Sequence, residues 1–508
     1  MELELDRTQR NGYEAVLDTT LRREETMESI VPDACPDILR ICDTEGVICL
    51  RDKTLQDGRV SLSGSVRAAL LYLPDGEEGI RRMEVELPFS CEAEHPALSS
   101  SGRVVAVPWV ECADARLINP RKVLVRVSFA IWVQGFAPVE EELCCGVLAP
   151  DEAGVQQLTE SYESCVVVCV QEKHFPFSDE LSLPASKQEA AELLKARAAL
   201  RCGESKVIGN KLIFKGESQL QLLYRSVAGE MCTAEFELPF SQIMEISGAG
   251  EEAVCDVQVV LTDLDCALDS GDGHTFSVSM GLLAQAVVRE ERTMELLTDV
   301  YSTAFPLTAE TRLCGLDRLV DRGEKELTLR EILETGMLAR EISDAYASVG
   351  TIAQNREGGR ITLSAELNVT VLYVTEDGAQ ASVTRQLQAA CPLELPEGTA
   401  CSCCCRCTAP VFATPTAGGI EVRFPVSFQY TALLRRTTAS VSAVQMDESA
   451  PVDHSSRPSI VLRMVGSGER LWDIAKSYGT TAQDIMRAND LEEEPAPEGQ
   501  LLLIPRKR

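Results

Sequence analysis

The chain has 508 residues, of which 25% are charged and 45% apolar, and its formal net charge is −31. This is globular composition, too long for one core; at roughly 150 residues per domain it predicts three or four units. The charge excludes nucleic acid and anionic membrane surfaces as partners of the acidic part, since both repel it.

The acid is unevenly placed. From Ser459 onward seven Lys/Arg stand against eight Asp/Glu, so the tail is near neutral and the preceding residues carry the excess. The opening MELELDRTQRNGYE is polar and charged, unlike the basic, apolar, small-residue order of a signal peptide. No apolar run reaches the ~18–20 residues of a spanning helix, so no transmembrane segment is expected. A cytoplasmic location is expected, and with it reduced thiols for the twenty cysteines. Many stand singly in apolar, strand-like runs (Cys112, Cys169, Cys232, Cys255), where Cys acts as a small hydrophobe.

In chain order, the first strong pattern is DGRVSLSGSVRAALLYLPDGEE, Asp57 to Glu78. It returns as GNKLIFKGESQLQLLYRSVAGE (Gly209 to Glu230) and as GGRITLSAELNVTVLYVTEDGA, ending at Ala379. Each copy has a turn, a strand ending in Leu-Tyr, and a Gly-bearing turn. The anchors are Tyr72, Tyr224 and Tyr373. Leu87-Pro88-Phe89 and Leu238-Pro239-Phe240 follow the first two, and Cys391-Pro392-Leu393 occupies the comparable region of the third. Each copy closes with a long strand: Lys122 to Phe136, His274 to Val288, and Ile420 to Leu434. Alternation such as Val123-Val125-Val127-Phe129-Ile131 marks strands with one buried face.

A period this long means whole domains in tandem, not solenoid units of ~20–50 residues. Two stretches read as helical, Lys187 to Leu200 and Leu327 to Ile342; Pro32 to Gly46, the first copy's counterpart, is less plainly so. The expected fold is multidomain: three tandem β-rich repeats, sandwich-like or α+β, over 1–150, 151–300 and 301–440. Residues 441–458, polar and aperiodic, read as a flexible linker. A small unit spans 459–506.

That last unit reads as strand, helix, helix, strand. Ser459 to Met464 is the first strand. Leu471, Ile474, Ala475 and Tyr478 form one apolar helix face. Gly479 stops that helix, Thr480 or Thr481 caps the next, and Asn489 closes it. Leu501 to Ile504 is the closing strand, stopped by Pro505. Gly468, the Leu471-Trp-Asp-Ile-Ala475 run, Tyr478-Gly-Thr480, Ile485 to Asn489, Gly499-Gln-Leu501 and Ile504-Pro505 together resemble a LysM module, a βααβ fold. The resemblance implies a ligand groove with Gly468, Glu469, Arg470 and Leu471 on one wall and Asn489, Asp490 and Leu491 on the other.

Two departures bear on the ligand. Gly468-Glu-Arg-Leu471 stands where such modules usually have Gly-Asp-Thr-Leu, and Glu492 to Glu494 crowd the second wall with carboxylates. A neutral sugar gains little from either, whereas Arg is a favoured anchor at protein surfaces. Trp472 lies off the apolar face and reads as groove or support.

Tandem β-rich repeats with Leu-Tyr and Leu-Pro-Phe elements followed by one LysM resemble the clostridial SPOCS-plus-LysM proteins. That resemblance implies a role in spore coat assembly at the forespore surface, in the mother-cell cytoplasm. It also implies a LysM that engages a spore coat morphogenetic protein, the coat-basement ATPase. The alternative ligand is peptidoglycan or another N-acetylglucosamine polymer.

Signs of catalysis are few. Cys401-Ser-Cys-Cys-Cys-Arg-Cys407 holds overlapping C-x-x-C spacings, with Cys391 as the nearest further thiol and no histidine nearby. Structural thiols on a strand, a metal site and cross-linking are its three readings. His95, His174, His274 and His454 are scattered, and no P-loop or G-x-G-x-x-G is present. Hence no enzyme activity, no cofactor and no catalytic or metal site is expected.

Overall fold

The computed structural model describes all residues except 57, 77, 78, 270, 454–457, 459, 493–497 and 506–508. Of the positions singled out above, Asp57, Glu78, His454, Ser459, Glu493, Glu494, Arg506, Lys507 and Arg508 lie outside the described residues.

The chain is β-rich, and one element order recurs three times. The first is β1 (Glu4–Ile30), β2 (Ile38–Gln56), β3 (Arg59–Pro74), β4 (Arg81–Glu94), β5 (Arg103–Asn119) and β6 (Lys122–Leu148). The second is β7 (Val155–Ser182), β8 (Ala190–Ile208), β9 (Lys211–Ser226), β10 (Met231–Glu245), β11 (Val254–Leu268) and β12 (Thr275–Ser302). The third is β13 (Leu307–Leu333), β14 (Ala339–Glu357), β15 (Arg360–Thr375), β16 (Gln380–Glu394), β17 (Thr399–Cys407), the short β18 (Phe412–Thr416) and β19 (Gly419–Met446).

In each repeat the two long strands pair antiparallel along their length, as β1–β6, β7–β12 and β13–β19. The three strands after the first long one form a separate meander, β2-β3-β4, β8-β9-β10 or β14-β15-β16. Meander and long-strand sheet face each other in a sandwich-like lobe. Phe89 of β4 meets Phe129 of β6 with ring centroids 4.7 Å apart, and Phe240 of β10 meets Phe175 of β7 at 5.5 Å. Val123, Val125, Val127, Phe129 and Ile131 are all fully buried, as their alternation predicts.

Both stretches read as helical are strands. Ala190 to Leu200 opens β8, and Leu327 to Ile342 divides between β13 and β14. Ala, Leu, Glu and Lys favour a helix locally. Here pairing of Ala190–Ile208 with β9, and burial of Leu193, Leu194 and Lys195, override that preference. The linker expectation also changes at its start, because β19 runs on to Met446.

Strand register corrects the third Leu-Pro-Phe counterpart. Phe89 lies opposite Gly64 and Phe240 opposite Gly216, whereas Ala389 lies opposite Ala365. The counterpart is therefore Leu387-Gln388-Ala389, and Cys391, opposite Leu363, matches Cys91, opposite Leu62. A Cβ on Gly64 would sit 2.7 Å from the Phe89 ring, and one on Gly216 2.5 Å from Phe240. A large ring needs glycine opposite, and the third repeat uses two small residues instead.

The repeats meet at equivalent positions. Asp43, Lys195 and Asp344 pair with Leu71, Leu223 and Leu372, each leucine just before its anchor tyrosine. The three leucines are buried together. Around them lies a charged cluster to which every repeat contributes. Lys195 bonds Asp43 and lies 3.1 Å from Glu45; Arg197 lies 2.5 Å from Asp344 and 2.9 Å from Glu45. The Tyr346 hydroxyl donates to Asp43 at 3.0 Å, and Lys195 and Arg197 stand over its ring at 4.8 and 4.7 Å. Lys195 is 2% exposed and Asp344 4%. Burial alone would lift the Asp344 carboxyl, yet Arg197 and Lys195 hold it below its ordinary value.

Removing one member leaves uncompensated buried charge, so Lys195→Met should cost about 3–5 kcal/mol, read as a lower urea midpoint. The Asp344 pKa is depressed on folding, so its contribution is complete above the unfolded value of ~4 and is lost as pH falls through the folded value. Asp344→Asn should flatten the acid limb of the stability–pH profile below ~pH 4, measured by urea titration at each pH.

Candidate functional site

The C-terminal unit is β20 (Ile460–Met464), α1 (Leu471–Tyr478), α2 (Ala482–Ala488) and β21 (Leu501–Pro505), with β20 and β21 paired antiparallel. Local chemistry sets its joints. Gly479 takes φ +63° at the end of α1, and the Thr481 side chain accepts from the Asp484 amide at 3.0 Å to cap α2. Leu471, Ile474, Ala475 and Ile485 are buried with Leu502 and Ile504.

The residues expected to line the groove have different surroundings. Leu471 is 1% exposed and belongs to the core. Asn489 holds the module together: its amide nitrogen donates to the Ile485 and Leu503 carbonyls and its oxygen accepts from the Leu503 amide, each at 2.7 Å. Glu469 accepts from Arg463 at 2.5 Å and from the Gly466 amide at 3.1 Å. Arg470 turns to Asp473 at 3.1 Å and to Glu160 of β7 at 3.4 Å; the Asp473 hydrogen bond raises its pKa. Gly468, at φ +70°, is exposed, with no atom within 4 Å of where a Cβ would stand. Asp490 is exposed at φ +50°, and Leu491 is half-buried against the module's core. Gly468 is thus open to solvent, and Arg470 does not cover it.

Sequence reasoning missed the other face of the module. Trp472 is buried against the second repeat, its ring 4.8 Å from that of Tyr301. The Trp472 indole donates to Asp299 at 2.8 Å, Lys476 lies 2.6 Å from the same carboxylate, and the Tyr301 hydroxyl donates to the Thr480 carbonyl at 2.8 Å. Burial pushes the Asp299 carboxyl up, but Lys476 and Trp472 hold it below its ordinary value. The module is seated on the β7–β12 pair. It does not hang free from a linker.

Comparison with known families finds two kinds of domain in the chain. Residues 37–118 and 189–269 match the family described as SipL, SPOCS domain, and residues 464–505 match the LysM domain. The chain carries SPOCS domains and a LysM domain. The SPOCS matches run from β2 to β5 and from β8 to β11, the meander and the strand after it. No curated protein and no solved structure matches the chain.

Elsewhere, Cys401, Cys403, Cys405 and Cys407 lie on β17 against the third core. Burial raises all four thiols, Cys401 to about 11 and Cys407 to about 12. Among the described residues no group of three His, Cys, Asp or Glu is placed to hold a metal ion, and the twenty cysteines are free thiols. Among the described residues no helix is long and apolar enough to cross a membrane.

Trp472→Ala should free the LysM from the second repeat at a cost of about 3–5 kcal/mol. Amide hydrogen exchange in α1, followed by mass spectrometry, should then rise steeply, whereas Tyr301→Phe should cost only about 1 kcal/mol.

Proposed function

We propose that this protein is a non-enzymatic adaptor of spore envelope assembly. In this reading the three repeats form a scaffold in the mother-cell cytoplasm at the forespore surface, and the LysM docks a coat morphogenetic protein. The observation that carries it is the presence of SPOCS domains and a LysM in one chain. Seating of the LysM through Trp472 supports the reading, because a fixed module presents its open side in one orientation. Gly468 and the acids Asp490 and Glu492 are all exposed. Exposed carboxylates suit a basic protein surface better than a neutral glycan.

The second reading is a peptidoglycan-binding protein, favoured by what LysM domains generally bind. Two measurements separate them. The full chain should capture the purified coat-basement ATPase, and Asp490→Asn with Glu492→Lys should weaken capture at least ten-fold. The full chain should not sediment with purified peptidoglycan. Sedimentation together with unchanged capture by the double variant would favour the glycan.

A further inference from the structure

A cavity of about 740 Å3 lies where the three repeats meet. Its walls include β2 and β5 of the first repeat, β8 and β11 of the second, and β14 and β17 of the third. All six are edge strands of their sheets. An edge strand has backbone N–H and C=O groups on one side that no ladder partner satisfies. In this protein those edges face one another across a shared space.

The side chains narrow what could fill it. Val107, Val110, Val260, Leu261 and Val349 supply apolar wall. Trp109 and Gln219 also line the cavity, and the indole N–H and the Gln219 side-chain oxygen are themselves buried without a hydrogen-bond partner. One is a donor and the other an acceptor. The charged lining groups are already engaged: Asp43 with Lys195, Glu45 with Lys195 and Arg197, Asp114 with Arg126, and Arg406 with the neutral amide of Gln258. A cationic ligand would give up its hydration with no unpaired counter-charge to meet it, and an anionic one would find only Arg406, already held by Gln258. A small apolar molecule would use the walls but leave the strand edges unsatisfied.

We propose that this cavity receives an extended, uncharged peptide segment of a partner protein, which adds as a strand along one of the lining edges. Such a segment brings alternating apolar side chains and a row of backbone donors and acceptors, the two things the walls call for. The volume falls within the range of ligand sites. The site is separate from the LysM and does not depend on what the LysM docks.

The probe is a fluorescein-labelled, end-blocked heptapeptide of alternating Val and Thr, with a control carrying Lys and Glu in place of Thr. Anisotropy with the full chain should show saturable binding of the neutral peptide, at least ten-fold tighter than the control. Ala199→Trp, at an exposed position on the cavity wall, should weaken it ten-fold or more without changing the thermal melt. The chain has three tryptophans, and of their indole N–H resonances that of Trp109 should shift on binding while those of Trp132 and Trp472 stay. If Ala199→Trp misfolds, the Trp109 shift in the unaltered chain decides. Absence of saturable binding, equal binding of the charged peptide, or an unmoved Trp109 signal would overturn the proposal.

Discussion

The arrangement of the three repeats depends on a buried ionic junction whose cations come from one repeat and whose anions come from the other two. Lys195 and Arg197 belong to the second; Asp43 and Glu45 to the first; Asp344 to the third. The leucines beside them, Leu71, Leu223 and Leu372, are the same in all three. Leucine contact would hold any three copies together, including three identical ones. The charges do not permit that, because three copies of one repeat would bury like charges against each other. Apolar packing supplies adhesion here and charge selects the neighbours.

A second level of fixation holds the LysM. Its core is small, and one of its largest side chains, Trp472, is directed outward to Tyr301 and Asp299. Two of the seven residues in the groove pattern implied by the LysM resemblance are used structurally: Leu471 is core and Asn489 ties α2 to β21. Gly468 and Asp490 stay exposed while Trp472 and Lys476 of α1 are committed to the second repeat.

Local chemistry made some of this legible in the sequence. Period-2 alternation in Val123 to Ile131 reads directly as a strand with one buried face, and Gly479 and Thr481 read as helix stops and caps. What could not be read depends on partners distant in the chain. Lys187 to Leu200 has helix-forming residues, and only pairing with β9 makes it β. Asp43 and Lys195 look like surface charge until three repeats place them together. The partner of Trp472, Tyr301, is 171 positions earlier, so no spacing rule within the LysM could find it. The Gly64–Phe89 and Gly216–Phe240 pairs were visible as residues, but their meaning appears only in register.

The seat on Tyr301 also has a mechanical consequence. By covalent order the LysM follows β19, the last strand of the third repeat, yet it rests on β12 of the second. A tug on the module reaches Met446 through the peptide chain and Tyr301 through the side-chain seat. Tension is then divided between the β13–β19 and β7–β12 ladders, and unpeeling the last repeat from its end requires the seat to break first.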